Sequence, residues 1–202
     1  MRKIVILTFM SLDGVMQAPG GPDEDGDGGF RFGGWTFPYF DEMLGKVMSE
    51  QMTPPFDLLL GKRTYDIFAA HWPKQPDTDP TATVINNAHK YVVSKDAADL
   101  SWRGATLITG DVVTALRKLK AEEGPVLQVH GSSNLIQTLL KNDLADELWL
   151  KIFPVTLGQG KRLFGEGTIP AAFKLLQCTT SPTGVIVAAY QRAGDVATGS
   201  FA

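Results

Sequence analysis

The feature that most constrains the fold of this chain is the alternation of short strand patterns with helical patterns. Apolar runs rich in β-branched residues or leucine, each bounded by turn residues, predict eight strands, at residues 4–10, 57–60, 90–94, 106–109, 126–130, 147–153, 173–179 and 185–191. Helical patterns lie between several of these runs. Because neighbouring parallel strands need a crossover connection, this order predicts an α/β fold with a mainly parallel sheet covered on both faces.

Three helices are predicted from apolar spacing and end signals. One spans residues 41–51 before "TPP", one spans 112–123 between an Asp111 N-cap and a Gly124 C-cap, and one begins at Ser132 or Ser133. The turn "SPTG" at residues 181–184 has no helical pattern around it, so the last two strands should form an antiparallel hairpin at the sheet edge. We therefore expect one domain over residues 1–192 and a flexible tail over 193–202.

Charge and apolar patterning exclude several classes of partner. The chain has 19 Lys and Arg against 22 Asp and Glu, so there is no global basic field to bind nucleic acid. The apolar run after "MRK" is too short to span a bilayer and has no small-residue cleavage site, which predicts a cytoplasmic protein without a membrane contact. Cys178, the single cysteine, lies in the apolar run "FKLLQCTT" and is expected to be a buried structural thiol.

Three predicted strand ends carry residues suited to binding an anion. In parallel sheets, ligands bind beyond the carboxyl ends of the strands, where the next helix presents free N–H groups. The three motifs are "LLLGKRTYD", with Thr64 as the expected N-cap, "VVSK", and "VHGSSNL". Each is explained either as part of a phosphate site or as an ordinary strand-to-helix turn, which also favours glycine and serine. Their occurrence together favours a shared ligand site.

The segment "DEDGDGGFRFGGW", residues 23–35, admits a metal site, a solvated loop or a mobile loop over a substrate. Asp23, Asp25, Asp27 and Gly28 match the first half of a calcium loop, but Gly34 stands where a bidentate glutamate is needed and no helix enters the segment. The pattern therefore disfavours a metal. The three histidines are scattered, and His130 is expected to be a hydrogen-bonded core or rim residue rather than a catalytic base.

Six stretches, taken in order, resemble the dihydrofolate reductase superfamily. They are "ILTFMSLDGV", "DLLLGKRTYD", "YVVSK", "VLQVHGSSNLIQTLL", "LADELWLKIFPVTLGQGKRLF" and the closing hairpin. More narrowly, residues 2–192 resemble the branch related to the reductase domain of bacterial riboflavin biosynthesis. The resemblance implies a dihydrofolate reductase-like three-layer fold, with a mainly parallel eight-stranded sheet and a C-terminal antiparallel hairpin, and it implies a homodimer.

The resemblance further implies a reductase that transfers hydride from NADPH to a small heterocyclic or carbonyl-bearing molecule. Residues 61–64 would hold the adenosine-side phosphates, Ser94 and Lys95 would lie by the ribose 2′-phosphate, and residues 131–135 would hold the pyrophosphate. The full set of implied cofactor-binding residues is Ser11, Gly14, Gly61, Lys62, Arg63, Thr64, Ser94, Lys95, Gly110, Gly131, Ser132, Ser133, Asn134 and Leu135. A nucleotide- or ligand-binding protein of the same fold without turnover is the alternative.

By the same resemblance, residues 15–35 form the mobile loop that closes over the nicotinamide. Trp35 and Phe37 would then form an apolar lid, although Trp35 is equally well explained as core. The acidic cluster would keep the open loop solvated. Asp13, Asp41 and Glu42 are the candidate catalytic acids, with the alternative that Asp41 and Glu42 are charges favoured by a helix N-terminus.

Overall fold

The structure, a computed structural model, describes residues 1–96, 98–166 and 168–201. Residue 202, the last of the predicted tail, lies outside this part. One sheet contains all eight predicted strands. They are β1 (Ile4–Ser11), β2 (Phe56–Gly61), β3 (Lys90–Val93), β4 (Ala105–Ile108), β5 (Val126–Val129), β6 (Glu147–Phe153), β7 (Phe173–Thr180) and β8 (Ile186–Arg192).

The strands are ordered β4-β3-β2-β5-β1-β6-β8-β7. The first six strands pair in parallel, while β8 is antiparallel to both β6 and β7. The predicted mainly parallel sheet and its closing hairpin are confirmed. In the tight turn between β7 and β8, the Gly184 N–H donates to the Ser181 carbonyl oxygen at 2.9 Å.

In the described part of the chain, five α-helices accompany the sheet, and all three predicted helices are present. They are α1 (Glu42–Gln51), α2 (Lys62–His71), α3 (Pro80–Asn87), α4 (Val112–Ala121) and α5 (Ser133–Lys141). The prediction that Thr64 caps α2 was wrong, because Gly61 is the N-cap and Thr64 lies in the first turn. The prediction that Gly124 caps α4 was also wrong, because the helix already ends at Ala121. The sequence reading missed α3, although Asp79 followed by Pro80 is a good helix start.

The two faces of the sheet are covered by different helices. On β2, Leu59 belongs to one core cluster and its neighbours Leu58 and Leu60 to another, as expected for side chains that alternate between faces. The first cluster includes the apolar stripes of α4 and α5, and the second includes residues of α2 and α3. A third cluster joins α1 and residues 15–35 to β6 and β8. These clusters hold the carboxyl ends of the parallel strands in fixed positions.

The β7 strand lies at the outer edge of the sheet and most of its side chains are exposed. Leu175 and Leu176 are 49% and 47% exposed. Cys178 is exposed as well, so the prediction of a buried thiol was wrong. The apolar run that motivated it belongs to an edge strand whose outer side packs against nothing in the described chain. In the described residues, no helix has the length and apolar character needed to cross a membrane.

Candidate functional site

A cleft of about 350 Å³ lies at the carboxyl ends of β1, β2 and β5. This size is within the range of small-molecule sites. The residues that line the cleft are Leu7, Thr8, Phe9, Met16, Gln17, Ala18, Pro19, Gly20, Glu24, Asp25, Met48, Met52, Arg63, Thr64, Ile67, Phe68, Trp72, Thr81, Ile85, His130, Gly131, Ser132, Ser133, Asn134 and Lys161. The cleft is therefore formed by β1, the loop that follows it, the last turn of α1, and the strand-to-helix turns after β2 and β5.

The cofactor-binding residues implied by the resemblance lie along one edge of the sheet. Six of them line the cleft, namely Arg63, Thr64, Gly131, Ser132, Ser133 and Asn134. The others are not part of the lining. Ser94, Lys95 and Gly110 follow β3 and β4 along the same edge, Lys62 forms an ion pair with Asp66 at 2.6 Å, and Leu135 is buried in the core. The carboxyl ends of the five adjacent strands β4, β3, β2, β5 and β1 span about 19 Å, because neighbouring strands lie about 4.8 Å apart.

The two strand-to-helix turns after β2 and β5 pack directly on each other. A Cβ atom on Gly61 would lie 2.1 Å from Ser132 Oγ, and one on Gly131 would lie 2.7 Å from Thr64 Oγ1. Gly131 also has a φ of 142°, and the peptide bond between Gly131 and Ser132 is cis. Glycine at both positions is thus required by the close approach of the two turns.

Helices α2 and α5, which begin at the cleft, start differently from the other three, including α3, whose first-turn residue Thr81 also lines the cleft. Helices α1, α3 and α4 each begin with an aspartate whose carboxylate accepts hydrogen bonds from first-turn N–H groups. Helices α2 and α5 begin at Gly61 and Ser132 and have no side-chain cap within the described chain. Their first-turn N–H groups therefore have no side-chain acceptor, which is the arrangement found at helix N-termini that bind anions.

The acidic loop lies across the cleft and pairs with cations. Asp25 accepts from Arg63 Nη2 at 2.6 Å and from Lys161 Nζ at 2.8 Å, and Asp27 also pairs with Lys161 at 2.8 Å. The Gln17 side chain donates to the backbone oxygens of Asp25 and Asp27 at 3.0 and 2.9 Å. We call these contacts the Asp25 clasp. The expectation that the acidic residues only keep the loop solvated is corrected, because they join the loop to α2 and to Lys161.

The two predicted lid residues do not line the cleft. Trp35 is 7% exposed, lies in the third core cluster with its ring 5.3 Å from that of Phe153, and donates from Nε1 to the Gln17 carbonyl at 2.8 Å. The core alternative for Trp35 is therefore the one observed. Phe37 is 83% exposed and is not one of the lining residues. The part of the loop that does line the cleft is Met16 to Gly20, with Glu24 and Asp25.

The lining of the cleft changes from polar to apolar along α2. Arg63 and Thr64 lie in the first turn, Ile67 and Phe68 follow one turn later, and Trp72 lies just beyond the last turn. At 1.5 Å per residue, this path covers about 14 Å. Met48 and Met52 from the end of α1 extend the apolar side. The cleft thus offers donors and cations at one end and a flat, adaptable apolar surface at the other.

The three candidate acids lie outside the cleft lining. Asp13 accepts from Ser11 Oγ at 2.6 Å and from the N–H groups of Leu157 and Gly158 at 3.1 and 2.8 Å. Burial opposes ionisation of Asp13, but these hydrogen bonds outweigh it, so its pKa is lowered. In this arrangement the carboxylate, together with Ser11 and the adjacent Gly14, fixes the turn after β1.

Asp41 and Glu42 lie at the start of α1, whereas the end of that helix reaches the cleft. Asp41 caps the helix, and the hydrogen bond from the Leu44 N–H lowers its pKa. Glu42 is an exposed residue of the first turn. Both residues therefore lie where the sequence alternative put them, as negative charges at a helix N-terminus.

The carboxyl groups that do line the cleft are Glu24 and Asp25, which the sequence reading did not select. Burial raises the pKa of Glu24, which accepts a hydrogen bond from the Gly20 N–H at 2.6 Å. The residues next to Glu24 in the sequence do not indicate that it is buried, because its burial depends on how the loop folds. Among the described residues, no group of three or more His, Cys, Asp or Glu side chains is placed to hold a metal ion.

Comparison with known proteins identifies the fold and the family of the chain. The chain is 26% identical over 196 residues to the uncharacterized protein YyaP of Bacillus subtilis (strain 168), with 94% of each chain covered. A pyrimidine reductase-like protein from Corynebacterium diphtheriae superposes with a TM-score of 0.65 at 15% identity, covering 96% of this chain and 93% of that one.

Dihydrofolate reductase from Enterococcus faecalis, solved with NADP(H) and RAB-propyl, superposes with a TM-score of 0.58 at 14% identity, covering 94% of this chain and 96% of that one. The dihydrofolate reductase-like fold expected from the sequence is therefore confirmed. The family model described as the RibD C-terminal domain matches residues 2–187. By that match, which takes in both strand-to-helix turns of the cleft, the chain belongs to the RibD C-terminal domain family.

Proposed function

We propose that this protein is an NADPH-dependent reductase that transfers hydride to a small heterocyclic or carbonyl-bearing substrate. The observation that carries the proposal is the pair of uncapped helix N-termini, of α2 and α5, which meet at one end of a cleft whose other end is apolar. A phosphate-bearing cofactor needs the first feature and a flat ring needs the second. Membership of the RibD C-terminal domain family supports a reductase-type function.

The residues present fit the cofactor at the strand ends. In the proposal, Ser132, Ser133 and Asn134 at the start of α5 hold the pyrophosphate through hydroxyl and N–H donors, while Arg63 and Thr64 bind the adenosine-side phosphates. Lys62, Ser94, Lys95 and Gly110 continue the same edge, where the 2′-phosphate would lie. That group carries about two negative charges, so cations there favour NADPH over NADH.

The chain itself contributes orientation and exclusion of water. NADPH, when bound, supplies a hydride from its nicotinamide ring. The apolar end of the cleft, with Phe9, Met48 and Phe68, would hold the acceptor against that ring and keep bulk solvent away. The loop of residues 16–25 covers the cleft from the side of β1, so its closure is the step that would complete the site.

Two further proposals follow from the same fold. We propose a homodimer, supported by the exposed edge strand β7 with Leu175 and Leu176 on its surface. An edge strand presents unpaired N–H and C=O groups that a second strand satisfies. We also propose that the protein works in the cytoplasm, where a reductase of this kind meets its reduced cofactor.

The test is a titration with NADPH and with NADH, followed by quenching of tryptophan fluorescence. Trp72 lines the cleft and is placed to report binding. We expect NADPH to bind at least about tenfold more tightly than NADH, a difference of about 1.4 kcal/mol. Arg63→Ala should weaken NADPH binding, whereas Lys46→Ala, on the exposed side of α1, should leave it unchanged. Failure to bind either nucleotide would overturn the reductase proposal.

A second measurement separates a reductase from a binding protein. NADPH consumption is followed with a panel of pteridine, pyrimidine and carbonyl acceptors. Consumption of NADPH with any acceptor, lost in Arg63→Ala, establishes turnover. Tight NADPH binding without consumption across the panel would instead favour a ligand-binding protein that has kept the cofactor site.

A further inference from the structure

A small hydrogen-bond network lies behind the cleft at the end of β5 and fixes the orientation of one side-chain amide. Gln128 is 7% exposed, and its Nε2 donates to the backbone oxygen of Gln51 at 2.8 Å. A carbonyl oxygen can only accept, so the amide cannot be turned around without placing two acceptors together. The Gln128 Oε1 atom must therefore face its other neighbour, His130, whose Nε2 lies 3.1 Å away.

This contact shows that Nε2 of His130 carries a hydrogen. Because Gln128 Oε1 accepts only, the hydrogen between the two atoms must belong to His130 Nε2. Burial and the nearby Lys151 lower the pKa of His130 to about 3, so the ring is neutral at physiological pH. A neutral imidazole with its hydrogen on Nε2 has an unprotonated Nδ1 with an acceptor lone pair.

Nδ1 has no hydrogen-bond partner in the described chain, and His130 is a half-buried residue of the cleft lining. The Nε2 contact to Gln128 is the one hydrogen bond that the described residues make with this ring. His130 lines the cleft beside Phe68, with ring centroids 6.1 Å apart. A ring with one unpaired acceptor nitrogen thus lies at the apolar end of the cleft.

We propose that His130 Nδ1 is a specificity-determining acceptor, which selects substrates that present an N–H, amino or hydroxyl donor at the edge of a flat heterocyclic ring. The inference rests on the proposed function of the cleft as a substrate site. A ligand that places its own acceptor against Nδ1 leaves two lone pairs facing each other away from water, and a ligand with a methyl group there leaves Nδ1 unpaired. Lactam and amino heterocycles satisfy the requirement, whereas simple ketones do not.

The first test measures the histidine itself and needs neither cofactor nor turnover. The protein is labelled with ¹⁵N at its three histidines, and the signals of His130 are assigned by their loss in His130→Gln. We expect a neutral ring protonated at Nε2 across about pH 5 to pH 8, the range in which free histidine titrates. An imidazolium at about pH 6, or a ring protonated at Nδ1, would overturn the proposal.

The second test compares two ligands that differ in one donor. Quinazolin-4(3H)-one has a lactam N–H, and its N3-methyl derivative has nearly the same shape without it. We expect the lactam to bind at least about tenfold more tightly and to shift the Nδ1 signal. His130→Asn should retain part of the preference for the lactam, because its amide replaces the imidazole at the position of Nδ1. His130→Gln should lose this preference, because its amide extends to the position of Nε2.

The outcomes distinguish this inference from the proposed function. Equal affinity of the two ligands, or binding of neither, overturns the role of His130 while NADPH binding is unaffected. If NADPH does not bind but the protein still distinguishes the two ligands fully, the reductase proposal is overturned. His130 is then the selective acceptor of a binding protein. Thermal unfolding of both variants confirms that lost discrimination is not lost folding.

Discussion

At the scale of single residues, the geometry of the cleft depends on a glycine. We predict that Gly61→Ala weakens NADPH binding by at least about tenfold and lowers the free energy of unfolding by about 1 to 3 kcal/mol, because its Cβ would lie 2.1 Å from Ser132 Oγ and 3.2 Å from the Ser132 backbone N. The two strand-to-helix turns would have to separate. Titration and urea unfolding measure both effects.

The matched control for this substitution is Gly45→Ala. Gly45 lies inside α1, and a Cβ there would have no heavy atom within 4 Å. Helix propensity favours alanine by up to about 1 kcal/mol, so this variant should be as stable as the parent or more so and should bind NADPH normally. If Gly61→Ala behaves in the same way as Gly45→Ala, the two turns do not define the cofactor site.

A second residue, Lys151, makes stability depend on pH. Its side chain is 4% exposed, donates to Gln51 Oε1 and lies over the Phe9 ring at 5.4 Å. Burial lowers the pKa of Lys151 from 10.5 to about 7. Between these values the unfolded chain binds more protons than the folded one, so the free energy of unfolding should rise with pH, by at most about 1.4 kcal/mol per unit.

Lys151→Met isolates this contribution. Lys90, with its pKa lowered to about 8 by burial, contributes with the same sign and is present in both proteins. Urea unfolding at several pH values from about 7 to about 9.5 should therefore show a smaller rise in the variant than in the parent. Equal pH slopes for the two proteins would show that Lys151 is not desolvated as its burial indicates.

At the scale of structural elements, the Asp25 clasp competes with the proposed cofactor. Arg63 Nη2 is bound to Asp25, so a phosphate that uses this N–H group has to replace the carboxylate. We predict that Asp25→Asn strengthens NADPH binding by roughly 2- to 5-fold, the effect of a pair worth about 0.5 to 1 kcal/mol. Amide hydrogen exchange in residues 17–27 should become faster, because the loop loses its ion pair with Arg63 of α2 and one of its two ion pairs with Lys161.

Asp27→Asn provides the comparison for the clasp. Asp27 pairs with Lys161 but not with Arg63, and its side chain is 56% exposed. The variant removes the same charge from the same loop but leaves Asp25 paired with Arg63. It should therefore affect NADPH binding less than Asp25→Asn does. Weaker binding in Asp25→Asn than in the parent would mean that Asp25 helps to hold the cofactor instead of competing with it.

The same elements show what the sequence could and could not predict. The strands and three helices were predictable because apolar periodicity and caps such as Asp111 are local signals. The strand ends could be predicted as a candidate ligand site, because parallel pairing brings the carboxyl ends of the strands to the same side of the sheet. The Asp25 clasp could not be predicted, since Asp25 meets Arg63 and Lys161 only through the path of the loop. Cys178 was misjudged because an apolar run does not reveal whether its strand is central or at an edge.

At the scale of the whole molecule, the sheet separates two surfaces. The cleft lies at the ends of β1, β2 and β5, while β7 lies at the far edge, beyond β6 and β8. A partner that binds β7 therefore leaves the entrance to the cleft open. Strand β7 has exposed leucines and unpaired backbone groups. Sheet proteins usually cover such an edge strand or place charged side chains on it. This arrangement supports assembly through the edge and catalysis at the strand ends as separate functions of one sheet.

The last prediction follows from that separation. Sedimentation velocity over a range of concentrations should show a dimer, and Leu176→Lys should raise its dissociation constant by at least about tenfold by placing a charge in the contact. Leu12→Lys, at a position that is 61% exposed in the turn after β1, should leave the dimer intact. NADPH affinity should be unchanged in Leu176→Lys, because β7 contributes nothing to the described cleft lining. A parent protein that sediments as a monomer at every concentration would contradict assembly through β7.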